Sequence, residues 1–218
     1  MTNEVEATYQ ERFAGSELKR SAVWQVLGKY YFQAWIKPTD ALLDIGAGYC
    51  EFINAIDAGR KYALDLNPST QRKAGPGVSV LAQDIGQAWP LESGSIDVAF
   101  SSNFFEHLPS KELLVSCLAE TFRVLKPGGT LIAMGPNIRF CYDLYWDFFD
   151  HHLPLSDRSI QEVLTLSGFR VERLIPRFLP YTMQGGLPAA PILVRLYLLL
   201  PFAWNIFGKQ FLVIARKP

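Results

Sequence analysis

Cysteine and histidine are scarce in this chain, three of each among 218 residues. Cys50, Cys117 and Cys141 are odd in number and show no paired metal-ligand spacing. That excludes a disulfide framework and a cysteine-based zinc site, and it points to a reducing compartment. Neither sign of charge is in excess: 21 Lys and Arg balance 21 Asp and Glu. With no basic tail or Lys/Arg stripe, the electrostatic footprint of a nucleic-acid partner is missing. The opening residues, Met1-Thr2-Asn3-Glu4-Val5-Glu6, are polar and acidic where a secretory signal would be basic and then apolar. The expected location is cytoplasmic. Internal repeats and low-complexity segments are absent.

What is present is a core. Residues are 49% hydrophobic, enough for one sizeable domain over 1–218. The stretch Ala41-Leu-Leu-Asp-Ile-Gly-Ala-Gly-Tyr-Cys-Glu51 is an apolar run ending in an acid, then two glycines one residue apart, then a helix start. Glycines at 46 and 48 permit a sharp turn and a close backbone approach to a ligand. A second apolar run ends at Asp65, within natural reach of ribose hydroxyls, and a third, Val78-Ser-Val-Leu-Ala-Gln-Asp84, ends in another acid. The spacing predicts strands over 41–46, 61–66, 78–83, 95–100, 130–134, 170–176 and 210–215. It predicts helices over 16–35, 50–58 and 111–124, and a further one capped by Ser156 or Asp157 and ended at Ser167-Gly168. Alternating strands and helices imply a parallel sheet covered on both faces, with ligands outside the C-terminal ends of its strands.

These residues resemble the class I S-adenosylmethionine-dependent methyltransferases. Asp44-Ile-Gly46-Ala47-Gly48 matches the first glycine motif, Asp65 the ribose acid, and Asp84 followed by Ile85 the adenine-side pair. Ser101-Ser-Asn103-Phe-Phe-Glu106-His107-Leu-Pro109 matches the segment after the fourth strand, and Arg123-Val-Leu-Lys-Pro-Gly-Gly-Thr-Leu131 the lead into the fifth. The resemblance implies a Rossmann-like doubly wound sheet of seven strands, mostly parallel, with the last inserted antiparallel between the fifth and sixth. It also implies S-adenosylmethionine as cofactor. Asp44 would face the methionine ammonium, Asp65 the ribose diol and Asp84 the adenine amino group, with the Ile85 amide donating to a ring nitrogen. Ala47, Leu66, Ser101 and Asn103 complete the expected cofactor contacts, and Tyr9 or Arg12 would approach the methionine carboxylate. The family usually has a third glycine where this chain has Cys50. That change is expected to cost little if the helix starts there in ordinary dihedrals.

Methyl transfer from a sulfonium is an in-line displacement whose main demand is alignment. A hydroxyl acceptor needs a base as well, and histidine is best tuned for it. The candidates are His107, His151 and His152. Glu106, His107, Asp150 and one of the adjacent histidines could together ligate a metal, but no i, i+4 histidine pair exists, and no metal is expected.

Two segments exceed a minimal fold. Residues 137–155 read as a lid over an organic substrate, with Asn137, Arg139, Tyr142, Tyr145 and Trp146, beside Glu106, as substrate contacts. Residues 180–208 are strongly apolar, but Pro191 and Pro201 cut any helix short of a bilayer's thickness. Ile192, Leu193, Leu196, Leu199 and Leu200 are expected to pack as extra core, with peripheral membrane contact through 187–207 as the alternative. The acceptor class that fits is a small molecule or a glycan-type hydroxyl. A cofactor-binding regulatory or scaffold protein without chemistry is a second reading, and an enzyme acting on protein or RNA a third.

Overall fold

The computed structural model describes residues 17–181 and 190–218. They form two compact units, one taking in the described residues up to 84 together with 190–201, the other 85–181 and 202–218.

The first unit is built on β1 (Ala41–Ile45), every residue of which is buried. It pairs in parallel with β2 (Arg60–Leu64), which pairs in parallel with β3 (Val78–Leu81). A strand buried along its whole length is what a sheet covered on both faces requires. Helix α1 (Glu17–Tyr30), the first among the described residues, ends earlier than expected, and a 3-10 turn, Phe32–Trp35, follows it. Phe32, Trp24 and Phe52 cluster with centroids 5.7 to 6.3 Å apart, Phe52 meeting each of the other two edge to face. Helix α2 is only Glu51–Ala55. Helix α3 (Pro68–Lys73) is capped by Asn67, whose side chain accepts from the Ser69 amide at 2.9 Å.

The second unit carries strands β4 (Ile96–Ser102), β5 (Leu125–Pro136), β6 (Arg170–Ile175) and β7 (Gln210–Arg216), in the order β4-β5-β7-β6. β4 and β5 are parallel, and β7 runs antiparallel to both β5 and β6. The fold class is therefore a seven-stranded Rossmann-like α/β arrangement, mostly parallel with the last strand reversed. Helix α4 (Lys111–Val124) is capped by Ser110, and its buried Leu114, Cys117, Leu118, Thr121 and Val124 recur at helical spacing. Helix α5 (Ile138–Tyr145) kinks at Cys141. Helix α6 (Asp157–Leu166) opens with a capping box in which Ser156 and Ser159 each bond the other's amide. Gly168, at φ +89°, turns the chain out of it.

The apolar insert corrects one expectation. Helix α7 (Pro191–Leu199) packs on α1, with the Arg195 guanidinium 4.5 Å from the Tyr30 ring centre. Yet of its residues only Leu198 is buried, and Ile192, Leu193, Leu196, Leu199 and Leu200 are exposed. They are not core. A helix lying on one other helix buries a single narrow stripe, and this one is apolar nearly all round. Helix α8 (Pro201–Phe207) buries Ala203 and Trp204 and exposes Phe202, Ile206 and Phe207. Among the described residues no helix is long and apolar enough to cross a membrane.

Candidate active site

At the end of β1 the chain turns with Gly46 at φ 71° and Gly48 at φ 51°, values that a Cβ makes costly. The amides of Gly46 and Ala47 both reach the Leu64 carbonyl, at 2.9 and 3.3 Å, which anchors the turn to the end of β2. Asp65 then accepts from Gly48 N through Oδ2 and from Asn67 N through Oδ1, each at 2.7 Å. Thr70, fully buried, donates from Oγ1 to the Gly48 carbonyl at 2.8 Å. The turn is thus held by the end of β2, by Asp65 in the loop after it and by Thr70 of α3. Asn67 and Thr70 carry this support, and nothing in their local sequence marks them apart from the Asn67-Pro68 helix start.

Cys50 corrects a second expectation. Its φ of 60° and ψ of 20° put it in the left-handed region, so the helix does not begin there in ordinary dihedrals. The position keeps the conformation that glycine adopts freely, and a side chain now occupies it. Sγ lies fully buried, 3.7 Å from the Thr70 carbonyl. Burial, then the charges of Asp44, Asp65 and Glu51, push its thiol pKa up to about 12, so it is neither a nucleophile nor an acid here.

The loop's electrostatics are one-sided. Burial first, and the charges of Asp65 and Glu51 next, raise the Asp44 carboxyl well above the ordinary range. Burial raises Asp65 too, against the amides of Asn67 and Gly48. Arg20 meets Glu51 at 2.8 Å. Asp44 and Asp65 have backbone donors but no cation of their own among the described residues. A ligand bringing positive charge and hydroxyl donors fits these residues, and S-adenosylmethionine brings an ammonium, a sulfonium and a ribose diol. Leu66 and Asp84, at the far ends of β2 and β3, are exposed. Tyr9 and Arg12 lie outside the described residues.

A second constellation lies in the other unit. After β4, Asn103 adopts a left-handed φ of 48°, its amide tied to the Met134 carbonyl at 3.0 Å. Asparagine tolerates that region better than most residues, and here it aims the chain into a 3-10 turn, Phe105–His107. The Glu106 carbonyl accepts from the amides of His152 and Leu153, at 2.8 and 3.0 Å, which docks the 150–153 segment beside it. His107 Nδ1 consequently lies 3.0 Å from the Asp150 carbonyl and 3.2 Å from its carboxylate. Burial disfavours the charged ring, but the Asp150 hydrogen bond and the charges of Glu106 and Asp150 outweigh it and hold the His107 pKa above its usual value. His151 Nδ1 lies 2.9 Å from the Tyr145 carbonyl, with Phe148 stacked on the ring at 5.0 Å. The two imidazoles meet edge to face, 4.9 Å between centroids. The adjacent histidines part, His151 turned inward and His152 to solvent. Glu106, His107 and His151 offer ligand atoms within 4.8 Å of one another. The missing i, i+4 pair therefore did not exclude a metal-ligand set, because the fold joins segments 43 positions apart. Tyr181, whose hydroxyl is 3.4 Å from His151 Nδ1, was not legible as a member of this cluster.

The remaining candidates scatter. Tyr145 is fully buried and donates to the Leu153 carbonyl at 2.5 Å, whereas Tyr142 and Trp146 are exposed. Asn137 and Arg139 both bond Asp157, at 2.8 and 2.9 Å, so their side chains tie the start of α5 to α6. Ser101 is buried in β4, and Ile85 is half-buried just beyond Asp84.

Residues 43–133 match the methyltransferase domain family. An uncharacterized methyltransferase of Mycobacterium bovis is 36% identical over 97 residues, 42% of this chain and 37% of that protein. One from Mycobacterium leprae is 34% identical over 97 residues, 42% of this chain and 35% of that one. The matches span well under half of these relatives' length. A SAM-dependent methyltransferase structure from Archaeoglobus fulgidus superposes with a TM-score of 0.69 at 22% identity, covering 96% of this chain and 98% of that one. A chain from the complex of the Haloferax volcanii Trm112 methyltransferase activator with its methyltransferase gives 0.70 at 19% identity, covering 100% and 97%. Geranyl diphosphate C-methyltransferase from Streptomyces coelicolor gives 0.60 at 14% identity, covering 84% and 74%.

Proposed function

We propose that this protein is a class I S-adenosylmethionine-dependent methyltransferase, a reading supported by its domain match and its fold, and that it methylates a small-molecule or glycan-type acceptor at a hydroxyl oxygen. The observation that carries the reading is the glycine turn locked onto Asp65 beside the buried Asp44. Bound there, the cofactor supplies a methyl group on a cationic sulfur. Asp44 balances the positive charge of the methionine end, and Asp65 has lone pairs remaining on both oxygens for the ribose diol. Gly46 and Gly48 keep the turn free of side chains where the ligand's backbone-side edge rests.

Activation of the acceptor falls to Glu106, His107, Asp150 and His151. They are a buried and half-buried polar set that the methyl-donor residues do not use, and a hydroxyl must lose its proton to attack. Tyr142 and Trp146 present aromatic faces suited to an organic or sugar-like substrate. The exposed apolar side chains of residues 191–207 favour a lipid-surface contact, which an acceptor carried on a lipid would require. Cytoplasmic action suits three thiols that are all buried and unbridged.

The test is direct. Purified protein with labelled cofactor is offered a pool of hydroxyl, amine and carboxyl acceptors, and products are read by mass. Transfer to a hydroxyl supports the reading. Tight cofactor binding with no transfer to any class supports a regulatory protein that keeps the fold without chemistry.

A further inference from the structure

The geometry of the second unit supports a step beyond the hydroxyl-acceptor reading on which it rests. A carbonyl oxygen can only accept a hydrogen bond. His107 Nδ1 lies 3.0 Å from the Asp150 carbonyl and His151 Nδ1 lies 2.9 Å from the Tyr145 carbonyl, so each Nδ1 carries the hydrogen. In the neutral ring that tautomer leaves the lone pair on Nε2 of both residues. Two imidazoles with their Nδ1 hydrogens on a carbonyl or carboxylate, and their lone pairs directed elsewhere, are the outer-shell arrangement that orients metal-ligating histidines. His107 has a carboxylate in that role as well, Asp150 at 3.2 Å. Phe148, stacked at 5.0 Å and 25°, fixes the plane of His151. The buried Glu106 supplies a carboxylate, and one potential ligand atom from each of the three, a ring nitrogen or a carboxylate oxygen, lies within 4.8 Å of the others.

We propose that Glu106, His107 and His151 bind one divalent transition-metal ion of the zinc class, and that this ion activates the acceptor. Two nitrogens and one oxygen suit such an ion better than magnesium or calcium, which take oxygen ligands. Three protein ligands leave a fourth position for the acceptor. Bonds of about 2.1 Å at tetrahedral angles hold ligand atoms about 3.4 Å apart. Closure therefore draws no pair together by more than roughly 1.4 Å, within the reach of side-chain rotation. A hydroxyl on the ion becomes acidic: its O–H bond breaks, the electron pair stays on oxygen and the proton leaves to water. The oxygen then displaces the neutral thioether as the methyl–sulfur bond breaks, with its electron pair going to sulfur.

The experiment uses the full chain, stripped with chelator and titrated with Co²⁺ in the absence of cofactor and acceptor. Visible d–d bands report ligand geometry, and Zn²⁺ competes the Co²⁺ away. The expected result is one equivalent with the absorption of a four-coordinate site. His107→Ala, His151→Ala and Glu106→Gln should each weaken binding at least tenfold. Asp150→Asn should weaken it about 10- to 100-fold through the orientation of His107, and His152→Ala should leave it unchanged. S-adenosylhomocysteine affinity, measured on the same variants, verifies that each is folded. No Co²⁺ band, or a band that survives loss of both His107 and His151, overturns the metal site. Because the readout involves no methyl transfer, its failure leaves the methyltransferase reading standing, and the converse also holds.

Discussion

Asp65 Oδ2 accepts a 2.7 Å hydrogen bond from the Gly48 amide, while its Oδ1 accepts one of the same length from Asn67. One carboxylate thereby locks the glycine turn after β1 to the loop after β2. The residue expected to read the cofactor's ribose also sets the shape of the loop that cradles it.

Asp65→Ala should therefore lose both roles. Charged hydrogen bonds contribute about 1.5–3 kcal/mol, so S-adenosylhomocysteine affinity should fall roughly 10- to 150-fold by calorimetry. Affinity within threefold of wild type would show that the ribose is bound elsewhere.

Asp44 should trade stability for binding. Its carboxyl is raised in the fold, chiefly by burial. An acid raised in this way binds a proton more readily folded than unfolded. Stability accordingly falls as pH climbs from the unfolded value of about 3.9 through the folded one, and it stays lower above that. Asp44→Asn should make the ligand-free protein more stable than wild type at pH 7, with the difference fading as pH approaches about 4. The same change should weaken cofactor binding roughly tenfold or more. Denaturant midpoints across pH check the first part, and equal midpoints at pH 7 would contradict it.

Cys50 should report backbone strain. Both Cys50→Ala and Cys50→Gly delete the buried sulfur, so their difference isolates the left-handed backbone at φ 60°. Glycine should be the more stable of the two by about 1 kcal/mol, the reverse of their order inside a helix. If alanine proves the more stable in urea, the position is not left-handed in solution.

His107→Ala should reduce methyl transfer by about 10²- to 10⁴-fold, the usual range for losing assistance to removal of the acceptor's proton. S-adenosylhomocysteine affinity should not change. Single-turnover rates and a binding isotherm on the same preparation separate the two, and an unchanged rate would remove the Glu106–His107 cluster from acceptor activation.

The apolar face of α7 should behave as surface. Leu199 is 67% exposed and Leu198 8%. Leu199→Glu should shift stability by no more than about 0.5 kcal/mol, whereas Leu198→Glu should cost more than about 2 kcal/mol through burial of an unpaired charge. Wild type should co-float with anionic liposomes and Leu199→Glu should do so less. Absence of wild-type flotation would assign the face to another partner.

Local pattern made much of this protein readable in advance. The glycine turn, the acids at the ends of β1, β2 and β3, and α4 with its Ser110 cap all depend on periodicity and turn chemistry within a few residues, which sequence carries directly. Even β7, reversed beside β5, followed from the motif order of the family that the sequence resembles. Three features depended on residues far apart in the chain. Cys50 keeps a glycine's conformation because Thr70 and the Asp65-tied loop hold the turn around it, and this overrides the preference of the residue itself. The polar cluster forms because the Glu106 carbonyl captures the amides of His152 and Leu153, bringing together segments with no local signature of each other. The hydrophobic residues of α7 were legible as hydrophobic, but not as exposed. Apolar character shows that a side chain gains by leaving water, and only the tertiary fold decides which of them have a neighbour to leave it for.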